Sequence, residues 1–140
     1  MAQDIVITEK DKVLMDEALA TFIKDSTSRM ALLVDKRGFI MAKKGDLSGT
    51  DTQTLAVLAM GSFASAQALA KVIGEDGFFG VFHQGKLNSV HISVICNWAM
   101  LVAVHDVSVT ESVLRLSARE TSKKLEPIIY AIVERLRTGR

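Results

Sequence analysis

The chain has 140 residues, of which 49% are hydrophobic and 24% charged, the balance of a single globular domain rather than of a disordered tail. Seventeen Lys and Arg residues against sixteen Asp and Glu residues leave a net charge of +1. This balance argues against nucleic acid as the main partner, because nucleic-acid-binding domains usually carry a clear basic excess. The single cysteine, Cys96, excludes an intrachain disulfide and a Cys-rich zinc site. Residues 1–12 carry early acids and no long apolar run, so we predict no signal peptide and expect a cytoplasmic protein.

Two stretches without a charged residue approach the length of a membrane span. Residues 52–70 and 87–105 comprise nineteen residues each, against roughly 20 for a transmembrane helix. Thr, Ser and Gln side chains interrupt the first stretch, and Asn, Ser and His side chains break the second into strand-like segments. We therefore predict no membrane span.

The first third of the chain predicts one helix and one β-hairpin. Thr8 and Asp11 form a Ser/Thr-x-x-acid pattern that caps helix starts, and apolar residues then recur at helical spacing over residues 9–25. A continuous apolar run over residues 30–34 leads into the turn sequence Asp-Lys-Arg-Gly and a second apolar run over residues 38–42. Two apolar runs joined by a short turn are typical of a hairpin.

The longest predicted helix follows at residues 51–73. Thr50 and Gln53 form a second capping-box pattern at its start, and Gly74 is a plausible carboxyl-terminal stop. Residues 77–85, 90–96 and 98–105 then have the length and composition of three strands.

The chain is predicted to end in a helix that opens with the pattern Ser108-x-x-Glu111. Its apolar positions form one stripe: Leu114, Ala118, Leu125, Ile129, Ile132 and Leu136. Pro127 lacks an amide hydrogen, so we expect it to kink or restart the helix near Glu126.

The resulting order, α-β-β-α-β-β-β-α, defines the fold class. Both faces of the strand over residues 98–104 are apolar, so neither face can be solvated. We predict an α/β protein of the α+β sandwich type, in one domain, with a five-stranded antiparallel sheet covered by helices on both faces.

The long helix carries no charge between Asp51 and Lys71. One stripe is spaced 4, 3, 4, 3 and 4 residues apart, as in a helix–helix seam: Leu55, Ala59, Ser62, Ala66, Leu69 and Ile73. A second side is also weakly polar: Val57, Met60, Gly61, Ala64 and Ala68. A helix on a sheet normally has a charged outer face. Either this helix is buried within one chain or, as we favour, its small-residue side meets the same helix of a second chain.

The sequence offers little for catalysis. It contains neither of the glycine-rich phosphate motifs, and His83, His91 and His105 fall on three different predicted strands without metal-ligand spacing. Cys96 is interpreted as a small apolar residue of the sheet. We expect no catalytic residue, no metal and no cofactor, and hence no enzyme.

A family resemblance rests on the hairpin. Residues 30–42, Met-Ala-Leu-Leu-Val-Asp-Lys-Arg-Gly-Phe-Ile-Met-Ala, resemble the strand–Asp-x-x-Gly–strand hairpin of the roadblock (dynein light chain) superfamily. The uncharged Ala-rich helix, Gly85 between two strands and the apolar strand at 99–104 continue the resemblance over about residues 8–136. Chain length and the long helix resemble the bacterial MglB-like branch of gliding-motility regulators.

This resemblance implies a homodimer with one sheet continuing across two chains, paired long helices and a Ras-like small GTPase as partner. The implied dimer interface is Leu55, Ala59, Ser62, Ala66, Leu69, Phe79 and Val81. The implied GTPase contact is the exposed start of the long helix at Asp51, Gln53 and Thr54. The leading hypothesis is a non-catalytic regulator that promotes GTP hydrolysis in cell polarity or motility.

Two other functions stay open. One is a dimeric adaptor of the dynein light chain type that does not alter hydrolysis. The other is a small-ligand sensor, which is less favoured because no polar cluster is evident between the apolar strands.

Overall fold

A computed structural model describes residues 7–139. Three helices and five strands follow one another in the predicted order: α1 (Glu9–Ser26), β1 (Met30–Asp35), β2 (Ile40–Gly45), α2 (Thr52–Val72), β3 (Gly80–Gln84), β4 (Asn88–Cys96), β5 (Ala99–Asp106) and α3 (Glu111–Thr138). The α1 start is fixed locally, because Thr8 and Asp11 form the predicted capping box, with Thr8 Oγ1 accepting from the Asp11 amide at 3.1 Å.

The predicted cap of α2 was one residue off. Asp51, rather than Thr50, is the N-cap, and its carboxylate accepts hydrogen bonds from the amide of Thr54 at 3.1 Å and from its hydroxyl at 2.7 Å. A carboxylate at this position satisfies an amide that the first helical turn leaves unbonded. The predicted stop is confirmed: Gly74 has φ of +85°, and its amide donates to the Lys71 carbonyl.

Two details of α3 differ from the sequence prediction, its cap and the restart at Pro127. Thr110, not Ser108, caps the helix, and Glu111 is its first residue. The helix also runs without a restart through Pro127, which lies on the exposed side. Leu125 and Ile129 on either side of the proline are buried, so packing keeps both halves helical despite the missing amide hydrogen.

The five strands form one antiparallel sheet in the order β2-β1-β5-β4-β3. The β1–β2 hairpin turns through Gly38, whose φ of +93° favours glycine. The Asp35 carboxylate stabilises the turn by accepting from the amides of Arg37 and Phe39, each at 2.9 Å. β2 and β3 are the edge strands.

Two apolar cores cover the two faces of the sheet, which confirms the predicted sandwich. On one face, α1 and α3 pack through Phe22, Leu114 and Ile129 against the small residues of β5, Ala99 and Ala103. On the other face, the core is smaller and joins α2 to the following side chains: Leu32, Val34, Ile92, Met100 and Val102. α2 therefore lies alone on its face.

Candidate interaction surfaces

The inward face of α2 is narrow. Only Ala56, Ala59 and Ala70 of this helix are buried, and Leu55 is half-buried against the same core. Ala59, which was predicted to contact a second chain, is 4% exposed and packed against the sheet of its own chain, so its side chain offers little surface to a partner. Leu55 packs against the same core, so only part of its side chain is accessible to a second chain.

The outward face of α2 is apolar and exposed. Leu58 is 65% exposed, Leu69 58% and Val72 81%, and exposed apolar side chains that lie together in one patch mark interaction sites. Small residues fill the spaces between them: Gly61, Ala64, Ser65 and Ala68. Exposed residues 58, 61, 65, 68 and 72 keep the 3 and 4 residue spacing of a helix–helix seam. The exposed stripe with seam-like spacing is therefore rotated from the predicted one, in which Ser62 and Ala66 are half-buried flanking positions.

The edge strand β3 borders this helix. Within residues 7–139, β3 pairs only with β4, so its outer edge has backbone groups without a strand partner there. Phe79, just before β3, is 90% exposed. Val81 is half-buried against the α2 core and is therefore only partly accessible. An exposed aromatic beside an open strand edge is a ready site for pairing with another strand.

The structure brings the start of α2 close to the β1–β2 hairpin. Asp51 and Thr54 are exposed, and Gln53 Nε2 donates to the Gly38 carbonyl at 3.3 Å. Hydrogen bonds from Thr54 hold the pKa of the Asp51 carboxyl below its ordinary value. The three predicted contact residues thus form one ordered, polar corner with the hairpin tip.

Arg37 at the hairpin tip is held in place by its own chain. Its Nη2 and Nε donate to Asp35 Oδ2 at 2.8 Å and 3.1 Å, and the Asp35 side chain is only 8% exposed. A guanidinium bonded through two nitrogens to a buried carboxylate is pre-organised and not free to extend.

The described residues hold no group of three or more His, Cys, Asp or Glu side chains that could bind a metal ion. His83 is exposed and bonds to Ser62 of α2 at 2.8 Å. Cys96 is half-buried, and burial raises the pKa of its thiol, which opposes nucleophilic use.

A groove that the sequence did not reveal lies between α3 and the β3–β4 ribbon. It encloses about 630 Å³, and its base holds His91 and Ser93, whose Nδ1 and Oγ atoms are 3.0 Å apart. Both are more than nine-tenths buried. The sequence did carry a signal for this groove. Ser89, His91 and Ser93 are two residues apart along β4, so their polar side chains lie on one face of the strand.

A second buried histidine lies beside the groove. The ring of Phe82 stacks on His105 at 5.8 Å and approaches His91 at 6.2 Å. His105 is fully buried, and no residue of the described chain bonds either of its ring nitrogens. Burial lowers the pKa of both histidines, and for His91 the nearby His105 and Arg115 lower it further while Glu111 raises it.

α2 is also the one helix of residues 7–139 with the length and apolar composition to cross a bilayer. Its contact with the sheet through Ala56 and Ala59 makes it part of the domain core.

Comparison with known proteins defines the family. The chain belongs to the Roadblock/LC7 domain family, whose model matches residues 14–105, from α1 to the end of β5. Within it the chain is MglB-like. Myxococcus xanthus MglB is 28% identical with a TM-score of 0.83, over 91% of this chain and 96% of that one. The gliding protein MglB of Thermus thermophilus is 30% identical with a TM-score of 0.81, over 89% of this chain and 95% of that one.

Other relatives extend the comparison. A further structure, described as MglB with a tetrameric arrangement, is 29% identical with a TM-score of 0.83, over 89% of this chain and 94% of that one, so self-association occurs in a relative. Curated protein sequences gave no significant match. The chain is therefore a roadblock-domain protein of the gliding-motility regulator type.

Proposed function

We propose that this chain forms a homodimer and that the dimer binds a Ras-like small GTPase and promotes its GTP hydrolysis. The observation that carries the dimer is the outward face of α2, where Leu58, Leu69 and Val72 are exposed with no charged residue between Thr52 and Ala70. A stable monomer would leave this apolar stripe in water.

The proposed interface combines two features of one side of the molecule. The α2 helices of two chains pack through Gly61, Ala64 and Ala68, which allow close approach of the backbones. The β3 edges pair beside them, with Phe79 covered by the partner. The revised interface keeps Ser62, Ala66, Leu69, Phe79 and Val81 from the sequence prediction.

The similarity to MglB supports a small GTPase as the partner, and we place its contact at the start of α2. Asp51, Gln53 and Thr54 are polar and ordered there beside the hairpin tip. Stimulation would act by repositioning groups of the GTPase itself, because Arg37 is occupied by Asp35. The chain would then act as a non-catalytic regulator in the cytoplasm.

A hydrolysis assay tests this function. The purified chain, added to the small GTPases of its own cell one at a time, should raise single-turnover GTP hydrolysis by one of them. Binding without stimulation would instead assign the adaptor function. Binding to none of them, in either nucleotide state, would contradict the proposal.

A further inference from the structure

We propose that the groove between α3 and the β3–β4 ribbon is a binding site for a small organic anion with an apolar body and one acidic group. The groove is lined by residues of one chain, and the proposal does not require a GTPase partner. Phe79 and Val81 on its β3 side also belong to the proposed dimer interface, so a partner chain would border that side of the groove. Its volume of about 630 Å³ falls within the range of roughly 300–1,000 Å³ that small-molecule sites occupy.

The charge of the groove favours an anion. Glu111, Arg115 and Arg119 line its α3 side. Arg115 Nη2 donates to Glu111 Oε2 at 2.6 Å, so these two charges offset each other. Arg119 has no ion-pair or hydrogen-bond partner among residues 7–139. One uncompensated positive charge therefore faces the groove, which suits one acidic group.

The base of the groove supplies a directed hydrogen bond. His91 Nδ1 is engaged by Ser93 Oγ, which leaves Nε2 as the nitrogen that can bond a ligand. When the Ser93 hydroxyl donates to Nδ1, the neutral ring carries its hydrogen on Nε2 and becomes a donor to an acidic oxygen. A histidine that is 6% exposed and lines a cavity costs folding energy unless its remaining nitrogen is solvated or bonded.

Aromatic side chains provide the apolar part of the site. Phe78 and Phe82 line the groove, with Ala118 of α3 opposite them. Flat apolar rings on one side and a small alanine on the other leave space for a planar or aliphatic body. The site thus combines an apolar slot, one buried hydrogen-bonding group and one cation, as small-molecule sites commonly do.

A matched pair of probes tests the proposal on the full chain. Anilinonaphthalene sulfonate has an aromatic body and one acidic group, and phenylnaphthylamine has the same body without the charge. The sulfonate should bind the wild-type protein more tightly. Amide resonances of Phe82, Ser93 and Arg119 should shift on its addition, while those of Leu58 and Ala68 on the apolar face of α2 should not.

Variants of α3 separate charge from shape. Arg119→Gln should weaken sulfonate binding about fivefold, the range of a partly solvated ion pair, and leave binding of the uncharged probe unchanged. Glu111→Gln should strengthen sulfonate binding, because it frees Arg115. Ser122→Trp should fill the groove and abolish binding of both probes. Arg137→Gln, on the same helix but outside the groove, is the matched control and should have no effect.

Two results would overturn the proposal. One is equal sulfonate affinity in the wild-type and Arg119→Gln proteins. The other is a set of amide shifts confined to α2, which would assign the probe to the apolar face of that helix.

Discussion

Ser62 Oγ and His83 Nε2 lie 2.8 Å apart, and this hydrogen bond joins α2 to the edge strand β3. A second bond, from the Phe78 amide to Gln67 Oε1 at 2.5 Å, joins α2 to the segment just before β3. These two bonds hold α2 beside β3, so the exposed helix face and the open strand edge lie on the same side of the molecule. A single partner can therefore cover both.

Arg37→Ala tests the mechanism of stimulation. Because Arg37 is bonded to Asp35 through two nitrogens, we expect its loss to reduce stimulated GTP hydrolysis by about tenfold or less. An inserted arginine finger is worth about 10³–10⁵ in rate. The measurement is the maximal single-turnover rate at saturating protein. A thousandfold loss with binding intact would make Arg37 a finger.

Asp51→Asn tests the proposed GTPase contact. Asparagine caps helices about as well as aspartate, so this change removes the charge while keeping the start of α2. We expect weaker binding of the GTP-bound partner, measured by titration calorimetry. Asp106→Asn, an exposed acid at the opposite end of the sheet, is the control and should leave binding unchanged.

The nucleotide state of the GTPase should also matter. A regulator of the GTP cycle should bind the GTP form more tightly than the GDP form, by about 5–150-fold, the usual range of such coupling. The same titration with each nucleotide gives the ratio. Equal affinities would favour the adaptor function.

The buried histidines predict how stability depends on pH. Burial lowers the pKa of His91 and His105 from 6.5, so below that value the unfolded chain binds more protons than the folded chain. The free energy of unfolding should therefore fall as the pH drops from about 7 toward 5. Denaturant titrations at each pH measure it, and a flat profile over that interval would contradict the burial of these rings.

A variant isolates His105 in that experiment. His105→Leu removes two ring nitrogens that no described residue bonds. We expect it to raise the free energy of unfolding at pH 5 by about 1 kcal/mol or more, the cost of an unsatisfied buried polar group. It should also flatten part of the pH profile. Lower stability at every pH would show that the ring packing on Phe82 matters more.

Local sequence signals predicted most of the fold. The capping box of Thr8 and Asp11 and the stop at Gly74 depend on bonds within one turn, so the sequence alone defines them. Adjacent capping candidates were less certain. Thr50 lies next to Asp51, and Ser108 lies near Thr110, and all four are of residue types that can cap a helix. The path of the chain into each helix determines which residue of each pair is the N-cap.

The orientation of α2 could not be predicted because both of its sides carry small uncharged residues. Periodicity shows where a helix is but not which of two similar faces meets the sheet. Ala59 was therefore assigned to the side that faces a second chain, although it is buried against the sheet of its own chain. Pro127 is the opposite case, where a strong local signal was overridden by the packing of Leu125 and Ile129 on α1 and the sheet.

Light scattering after gel filtration shows whether the outward face of α2 joins two chains. The wild-type protein should have about twice the 15.3 kDa of one chain. Ala68→Glu places a charge in the seam, and an unpaired buried charge costs several kcal/mol, so this variant should be a folded monomer. Ala66→Glu should act in the same direction, but Ala66 is half-buried in its own chain and the result would mix folding with assembly.

The same change on another helix is the control for that measurement. Ala20 is an exposed alanine of α1, so Ala20→Glu adds the same side chain away from the seam and should remain a dimer. We predict a dimer for the wild-type and Ala20→Glu proteins and a monomer for Ala68→Glu. A monomeric wild-type protein at micromolar concentration, or an Ala68→Glu protein that stays dimeric, would contradict a dimer formed through the outward face of α2.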